Sequence, residues 1–158
     1  MKWCLLLLGA ALIGGMSGCI TPDPALPVGE RLAIERARLV VPRNGLEEVY
    51  WKLTELNGVD APLGSGGKEA HLLLRHEKSV ARGFAGCNRF SGGYSLKGDQ
   101  LSFAELASTK ASCAEGMDLE AEFLSALAQV AAWSREGAVL SLRDAGGQVV
   151  ARFVMRDL

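Results

Sequence analysis

Two cysteines and two histidines after residue 45 carry side chains suited to thiol or imidazole chemistry: Cys87, Cys113, His71 and His76. A thiol pair can form a disulfide, remain as two free thiols, or bind a metal together with histidine ligands. Neither histidine stands at ligand spacing to a cysteine, so a metal site is not predicted. A nucleophilic Cys87 would need a positioned histidine base, and two histidines in one short segment give little support for one. Two alternatives remain for Cys87 and Cys113: a disulfide or two free thiols.

The stretch around Cys87 combines glycines with aromatic residues and reads Gly83-Phe84-Ala85-Gly86-Cys87-Asn88-Arg89-Phe90-Ser91-Gly92-Gly93-Tyr94. Glycines in a strand context mark bends, bulges and tight crossings. The stretch therefore predicts a strand that bends sharply at Gly86-Cys87 and continues into a second strand, with a flexible surface loop as the alternative. Asn88 is expected to satisfy backbone groups at the bend. Arg89 is expected to bond carbonyl groups, with ligand binding as its alternative role.

Length, charge and motifs narrow the class of protein. A chain of 158 residues suits one domain with appendages. Its formal net charge of -1 gives no reason to expect a nucleic acid partner. The sequence has no phosphate-binding loop, nucleotide fingerprint or Ser-His-Asp order, and its acidic residues are scattered. We therefore predict a protein that is not an enzyme, with no catalytic residue and no cofactor.

Residues 1–18 predict a cleaved export signal. Lys2 supplies a positive start, Leu5 to Met16 is apolar or glycine throughout, and small residues precede Cys19. The apolar run is shorter than the roughly 20 residues that cross a bilayer. Ser17-Gly18-Cys19 resembles a bacterial lipobox, although Met16 replaces the usual Leu. The resemblance implies a lipoprotein with acyl chains such as palmitate on Cys19; an ordinary signal peptide cleaved nearby is the alternative.

Residues 19–45 are predicted to form a proline-rich tether that includes one uncertain short element. Prolines keep the segment Ile20–Pro27 extended, which would hold a domain away from a membrane. Residues 28–42 fit a short helix or a strand. The residue after Cys19 is Ile20 and not Asp, which fits lipid anchoring at the outer membrane, facing the periplasm. An exported chain meets oxidising conditions, so a Cys87–Cys113 disulfide becomes the default expectation, with two buried thiols as the alternative.

Alternating apolar residues predict a domain of paired strands over residues 46–158. The predicted strands are 49–56, 70–75, 79–86, a hairpin of 94–96 with 101–103, and a closing pair of 138–143 with 149–154, while 106–113 is mixed. One helix is predicted over 118–132, with Leu119, Phe123 and Leu127 at helical spacing and Asp118 as its cap. We expect the apolar face of this helix to pack on the sheet.

Several segments resemble the META/HslJ-like domain family. Its two most specific motifs have counterparts in Gly86, Cys87, Asn88, Arg89 and Phe90, and in the segment from Thr109 to Cys113. Its opening, its helix and its closing hairpin resemble residues 51–58, 120–127 and 140–142. The matching segments keep the family's order from residue 47 to residue 156. The chain departs from the family at residues 110–112, where a Met commonly precedes the second Cys.

The resemblance implies a mainly β (α+β) fold, an antiparallel, incomplete or cracked β-barrel with one packed α-helix. It implies an envelope protein, and together with the lipobox-like Cys19 and the lack of catalytic motifs it predicts a non-catalytic, lipid-anchored protein with a role in stress tolerance or drug resistance. HslJ relatives are heat-inducible (heat shock) proteins linked with novobiocin resistance. The alternative is a carrier that binds a lipid or other apolar ligand in the barrel, similar to pilot lipoproteins of secretion systems. The expected partners are the membrane, through Cys19, and an envelope protein or an apolar ligand.

Overall fold

The computed structural model describes residues 45–156. The predicted signal peptide, Cys19 and almost all of the predicted tether lie outside the described residues. This region contains nine β-strands and one α-helix. In chain order they are β1 (Tyr50–Leu56), β2 (Val59–Asp60), β3 (His71–Arg75), β4 (Val80–Phe84), β5 (Arg89–Lys97), β6 (Gln100–Ser108), α1 (Met117–Gln129), β7 (Val130–Glu136), β8 (Val139–Asp144) and β9 (Val149–Arg156).

The strands form an eight-stranded antiparallel barrel. Neighbours follow the order β1, β3, β4, β5, β6, β7, β8 and β9, and β9 pairs with β1 to close the sheet, while the short β2 pairs with the end of β1. Strands β6 and β7 are joined in register at one residue pair, Gln100 with Ala132. The predicted antiparallel barrel with one helix is confirmed, and the qualifier "cracked" stays a prediction. No helix within residues 45–156 is long and apolar enough to cross a membrane.

Strand β1 shows how alternation and one irregularity place core residues. Trp51 and Leu53 are buried, as the alternating pattern predicts. The register against β9 shifts between Leu53 and Glu55. A bulge of this kind adds one residue to the strand, so Leu56 is buried on the same side as Leu53 although three positions separate them. The indole Nε1 of the fully buried Trp51 donates a hydrogen bond of 2.8 Å to the carbonyl of Leu46.

Side chains from the strands and from one face of α1 fill the barrel. The large side chains buried completely include Trp51, Leu72, Leu74, Leu101, Phe123, Leu127, Leu140, Leu142 and Phe153. The ring of Phe123 on α1 lies edge-on to Phe90, with 5.7 Å between centroids, and 5.9 Å from Phe153. Aromatic pairs at such distances stabilise a core beyond the area they bury. The inner positions of the barrel are therefore occupied by protein side chains.

The predicted helix is too long at its C-terminal end, where the structure has strand β7, and the short β2 is also missing from the prediction. Helix α1 ends at Gln129, and Val130 is already extended and begins β7. Alanines at 131 and 132 favour a helix when taken alone. Pairing with β8, in which Trp133 lies opposite Leu142, instead holds this segment as a strand.

The start of α1 also differs from the prediction. The N-cap residue is Gly116, with φ of 86°, and Asp118 lies inside the first turn without a capping hydrogen bond to any described residue. The carboxylate of Asp118 still lies near the positive end of the helix dipole, which favours a negative charge. The hairpin prediction is confirmed residue by residue, since Tyr94, Ser95 and Leu96 lie opposite Phe103, Ser102 and Leu101.

Candidate functional site

The stretch around Cys87 reverses the chain between β4 and β5. Phe84 and Arg89 are opposite each other in the antiparallel pair, and the backbone N–H of Ala85 donates to the carbonyl of Asn88 at 2.9 Å. Gly86 has φ of 131°, and a Cβ there would lie 2.7 Å from the carbonyl oxygen of Gly116. Only glycine fits this position comfortably, because both the backbone angle and the close approach exclude a side chain. The predicted sharp bend is thus a complete hairpin reversal.

Asn88 is buried and uses both ends of its amide. Its Oδ1 accepts hydrogen bonds from the hydroxyl of Thr109 at 2.8 Å and from the backbone N–H of Ala111 at 2.9 Å. Its Nδ2 donates to the carbonyl of Ala111 at 3.0 Å. Asn88 therefore holds the segment that follows β6 against the hairpin, and the side chain satisfies backbone groups as its residue type predicts.

A disulfide and a buried carboxylate reinforce the same junction. Cys87 and Cys113 form a disulfide. Glu120 of α1 is buried, and its carboxylate accepts from the backbone N–H of Asn88 at 2.6 Å and from the hydroxyl of Ser108 at 2.8 Å. The hairpin, the segment after β6 and the helix are thereby joined at one place. The sequence pattern did not predict these contacts of Glu120.

An open cleft of about 690 Å³ lies beside this junction, on the outside of the barrel. Leu72 and Leu74 are buried, so the alternate residue His71 lies on the outer face of β3. Register places His71 opposite Phe84, and Phe84 opposite Arg89. Three neighbouring strands thus present an imidazole, a phenyl ring and a guanidinium side by side in the cleft.

The rings in the cleft form a stacked series. The ring of Tyr50 lies 4.5 Å from that of His71 with an interplanar angle of 26°, and His71 lies 6.5 Å from Phe84 at 27°. All three side chains are half-buried. The ammonium of Lys68 stands 6.0 Å from the centre of the Phe84 ring, at the outer limit of a cation–π contact.

The charges in the cleft are mostly positive. Its acidic residue, Glu69, forms an ion pair of 3.0 Å with Lys52. The exposed guanidinium of Arg89 makes no hydrogen bond or ion pair with the residues that the structure describes, so the expected bonding to carbonyl groups is not seen. A second cleft of about 530 Å³ shares Tyr50 and Arg89 with the first and adds the exposed Arg82. An anion entering here would meet cations that have no carboxylate partner within residues 45–156.

Burial and these charges shift the pKa values of two ring side chains in the cleft. Burial, with the Glu69 carboxylate as a further cause, raises the pKa of Tyr50 to about 12. Burial lowers the pKa of His71, an effect opposed by its interactions with Glu69 and reinforced by the charge of Arg89. At neutral pH Tyr50 is therefore a neutral phenol and His71 a neutral imidazole. The ring series then carries no charge of its own.

We expect His71 to make stability depend on pH. Its folded pKa lies below the unfolded value of about 6.5, so the unfolded chain binds more protons between the two values. The free energy of unfolding should consequently fall as pH is lowered through about 6.5. NMR titration of the His71 ring and denaturation at several pH values measure the two quantities. The His71→Phe variant keeps an aromatic ring at this position but has no titratable group there. It should lose this part of the pH dependence of the free energy of unfolding. A His71 pKa above the unfolded value would contradict the prediction.

His76 and Phe90, which the sequence also singled out, do not line this cleft. The Nδ1 of His76 lies 3.2 Å from the carboxylate of Glu47 and not in the cleft with His71. The same carboxylate accepts a hydrogen bond from the hydroxyl of Tyr94. Phe90 is a core residue. Residues 45–156 contain no group of His, Cys, Asp and Glu side chains placed to hold a metal ion.

Sequence reasoning missed the aromatic side of the cleft. Tyr50, His71 and Phe84 stand far apart in the chain, and each looks like an ordinary strand residue when read alone. The sequence feature that could have indicated the cleft was the aromatic residue Tyr50 at a half-exposed strand position. Only the strand register, which sets which residues are neighbours across the sheet, brings the three rings together.

Comparisons with solved structures agree with this fold. A protein from Burkholderia xenovorans known from NMR is 24% identical, with a TM-score of 0.58 over 94% of this chain and 100% of that one. A second NMR structure is 25% identical, with a TM-score of 0.55 over 72% of this chain and 95% of its own. A DUF4847 family protein from Bacteroides vulgatus is 12% identical, with a TM-score of 0.52 over 72% of this chain and 96% of its own.

The sequence comparisons identify the family. A search of curated proteins gave no match. The sequence profile of the META domain matches residues 44–157, which include the whole barrel, the helix and both half-cystines of the disulfide. This match covers well over half of the chain and agrees with the motif residues around Cys87 and Cys113. The chain belongs to the META domain family.

Proposed function

We propose that the protein is a non-catalytic, lipid-anchored protein of the bacterial cell envelope that acts by binding, in envelope stress tolerance or in resistance to drugs of the novobiocin type. The META domain family is not a known enzyme family. While the disulfide is intact, it engages both cysteines of residues 45–156. A thiolate nucleophile is then unavailable in this region, which argues against a thiol-based enzyme.

The observation that carries the proposal is the Cys87–Cys113 disulfide. Disulfides form and persist in oxidising compartments and are rare where glutathione and thioredoxin keep thiols reduced. A disulfide at this junction, in which Cys87 is buried, therefore supports an exported protein. It agrees with the export signal and lipobox-like Cys19 of the sequence, and Ile20 after Cys19 favours the periplasmic side of the outer membrane as the site of action.

A second candidate function is that of a carrier for an apolar ligand. Barrels of eight strands can hold one small ligand, although small ones are usually filled by side chains. Here Trp51, Phe123 and Phe153 are fully buried in the interior. A carried ligand is therefore better placed in the outer cleft, against the exposed faces of its rings, than inside the barrel.

Lipid anchoring can be tested through Cys19. The full chain is expressed in a Gram-negative host, labelled with radioactive palmitate and fractionated on a density gradient. We expect the wild type to carry label and to sediment with the outer membrane. Cys19→Ser should lose the label and the sedimentation. Cys4→Ser is the matched control, because Cys4 lies in the predicted signal peptide. This substitution should leave both the label and the sedimentation unchanged. An unlabelled wild type would overturn the anchor.

The cellular role needs a separate test. Deleting the coding sequence from the bacterium that carries it should lower survival after heat shock or growth in novobiocin. The wild-type chain should restore tolerance, and Cys19→Ser should restore it poorly because the protein would no longer be held at the membrane. Equal tolerance of the deletion and parent strains in both conditions would contradict this role and leave the anchoring result unaffected.

A further inference from the structure

We propose that the outer-face cleft binds a small organic anion that carries a flat ring, with the ring against Tyr50, His71 and Phe84 and the anionic group on Arg89. The inference deepens the proposed function, since it rests on the protein acting by binding. It does not depend on the lipid anchor. Nothing in the family assignment supplies this site, which follows from strand register and side-chain geometry.

Aromatic surface is exposed on the outside of the filled barrel. Tyr50, His71 and Phe84 stack in series at 4.5 and 6.5 Å between centroids, with nearly parallel planes. They are only half-buried, whereas Phe123 and Phe153 are completely buried in the interior. Stacked planar rings offer a face that a flat ring of a ligand can cover, and such contact is favourable because it removes apolar surface from water.

The cleft also carries positive charge that is not neutralised by carboxylates of residues 45–156. The Arg89 guanidinium is exposed and has no carboxylate partner within residues 45–156, and Arg82 in the adjoining cleft is also exposed without one. Lys68 adds an ammonium at the edge of the Phe84 ring. Glu69, the acidic side chain of the cleft, is already occupied by Lys52. A guanidinium binds carboxylate or phosphate groups through two parallel hydrogen bonds, which is the recognition that an anionic ligand requires.

The backbone next to Arg89 is held in place. Asn88 makes three hydrogen bonds to Thr109 and Ala111, which also line the cleft. The disulfide of Cys87 ties the same turn to the segment after β6. A site that is ordered before binding loses less conformational freedom when a ligand enters. The cleft volume of about 690 Å³ lies in the range of roughly 300–1,000 Å³ typical of small-molecule sites.

The test uses two naphthalene probes that differ in charge and share the same ring: 2-naphthoate and the neutral 2-naphthylmethanol. The mature protein, as the cell makes it, is labelled with ¹⁵N and held in nanodiscs if it is lipidated, with empty nanodiscs as the blank. Amide shifts in NMR spectra locate the site and give the dissociation constants. We expect both probes to shift signals of β3, β4 and residues 85–89, and naphthoate to bind about tenfold more tightly, the effect of one charge-assisted contact.

Variants separate the ring contact from the charge contact. Arg89→Gln should weaken naphthoate about tenfold and leave naphthylmethanol unchanged. Phe84→Ala should weaken both probes. Lys97→Gln is the matched control, because this substitution also removes one positive charge, from an exposed lysine at the far end of β5. Both affinities should stay at the wild-type values. Dispersed amide spectra confirm that each variant is folded.

Four results would overturn the proposal. The first two are equal affinity of the wild type for the two probes, and an Arg89→Gln variant that binds naphthoate as the wild type does. The other two are amide shifts confined to another part of the barrel, and no binding of naphthoate at millimolar concentration. Because none of these measurements involves Cys19, failure of the site and failure of lipid anchoring give different results and can be told apart.

Discussion

Replacing both Cys87 and Cys113 by alanine is expected to lower the free energy of unfolding by about 3.5 kcal/mol. The two residues are 26 positions apart in sequence, with 5.8 Å between their Cα atoms. The cross-link restricts the unfolded chain more than the folded one, and a loop of this length accounts for the magnitude. Chemical denaturation of the wild type and the double variant, both under non-reducing conditions, measures the difference.

The reductant is the control for this prediction. Dithiothreitol should lower the stability of the wild type toward that of the double variant and leave the double variant unchanged. Equal stability of the two proteins without reductant would contradict the prediction. So would two free thiols detected after denaturation of the oxidised wild type without reductant. The single variants Cys87→Ala and Cys113→Ala should each lose about as much stability as the double variant, because either one removes the same bond.

Replacing Phe123 by alanine is expected to lower the free energy of unfolding by about 3 to 5 kcal/mol. Phe123 is completely buried, and its ring contacts Phe90 of β5 and Phe153 of β9. The substitution removes buried apolar area and leaves a cavity between helix α1 and the barrel, and both effects destabilise the folded state. Thermal and denaturant unfolding followed by circular dichroism measure the loss.

Two further variants make this result interpretable. Phe123→Leu retains part of the side-chain volume and should lose less stability than Phe123→Ala, so the prediction can be tested if the alanine variant fails to fold. Met117→Ala is the control on the same helix, because Met117 is 45% exposed, and it should change stability by less than about 0.5 kcal/mol. Equal losses for Phe123→Ala and Met117→Ala would show that α1 does not complete the core.

The turn between β4 and β5 carries both stabilising contacts and the proposed binding residue Arg89. The disulfide, Asn88 and Glu120 stabilise the turn on its inner side, while Arg89 extends from the following position into the cleft. Loss of the disulfide is therefore expected to weaken the packing of the segment that lines the cleft as well as to lower global stability. Gly86, Cys87 and Asn88 of the motif serve the fold, while Arg89 of the same motif is free to serve a ligand.

The sequence by itself determined the fold class and most strand positions. Period-two alternation predicted β1 and β3, and the helical spacing of Leu119, Phe123 and Leu127 predicted the buried face of α1, since these patterns are local and survive without knowledge of neighbours. The two-residue turn at Gly98-Asp99 set the register of the β5–β6 hairpin. The cysteine pair and the export signal together predicted the disulfide.

Only the tertiary structure decided features that depend on contacts between distant residues. Strand β7 replaced the predicted end of the helix because pairing with β8 outweighed the helix propensity of its alanines. The bulge in β1 moved Leu56 into the core against simple alternation. The cleft itself arises because register across β1, β3, β4 and β5 brings Tyr50, His71, Phe84 and Arg89 to one face, and register between non-adjacent segments is set by packing of the whole barrel.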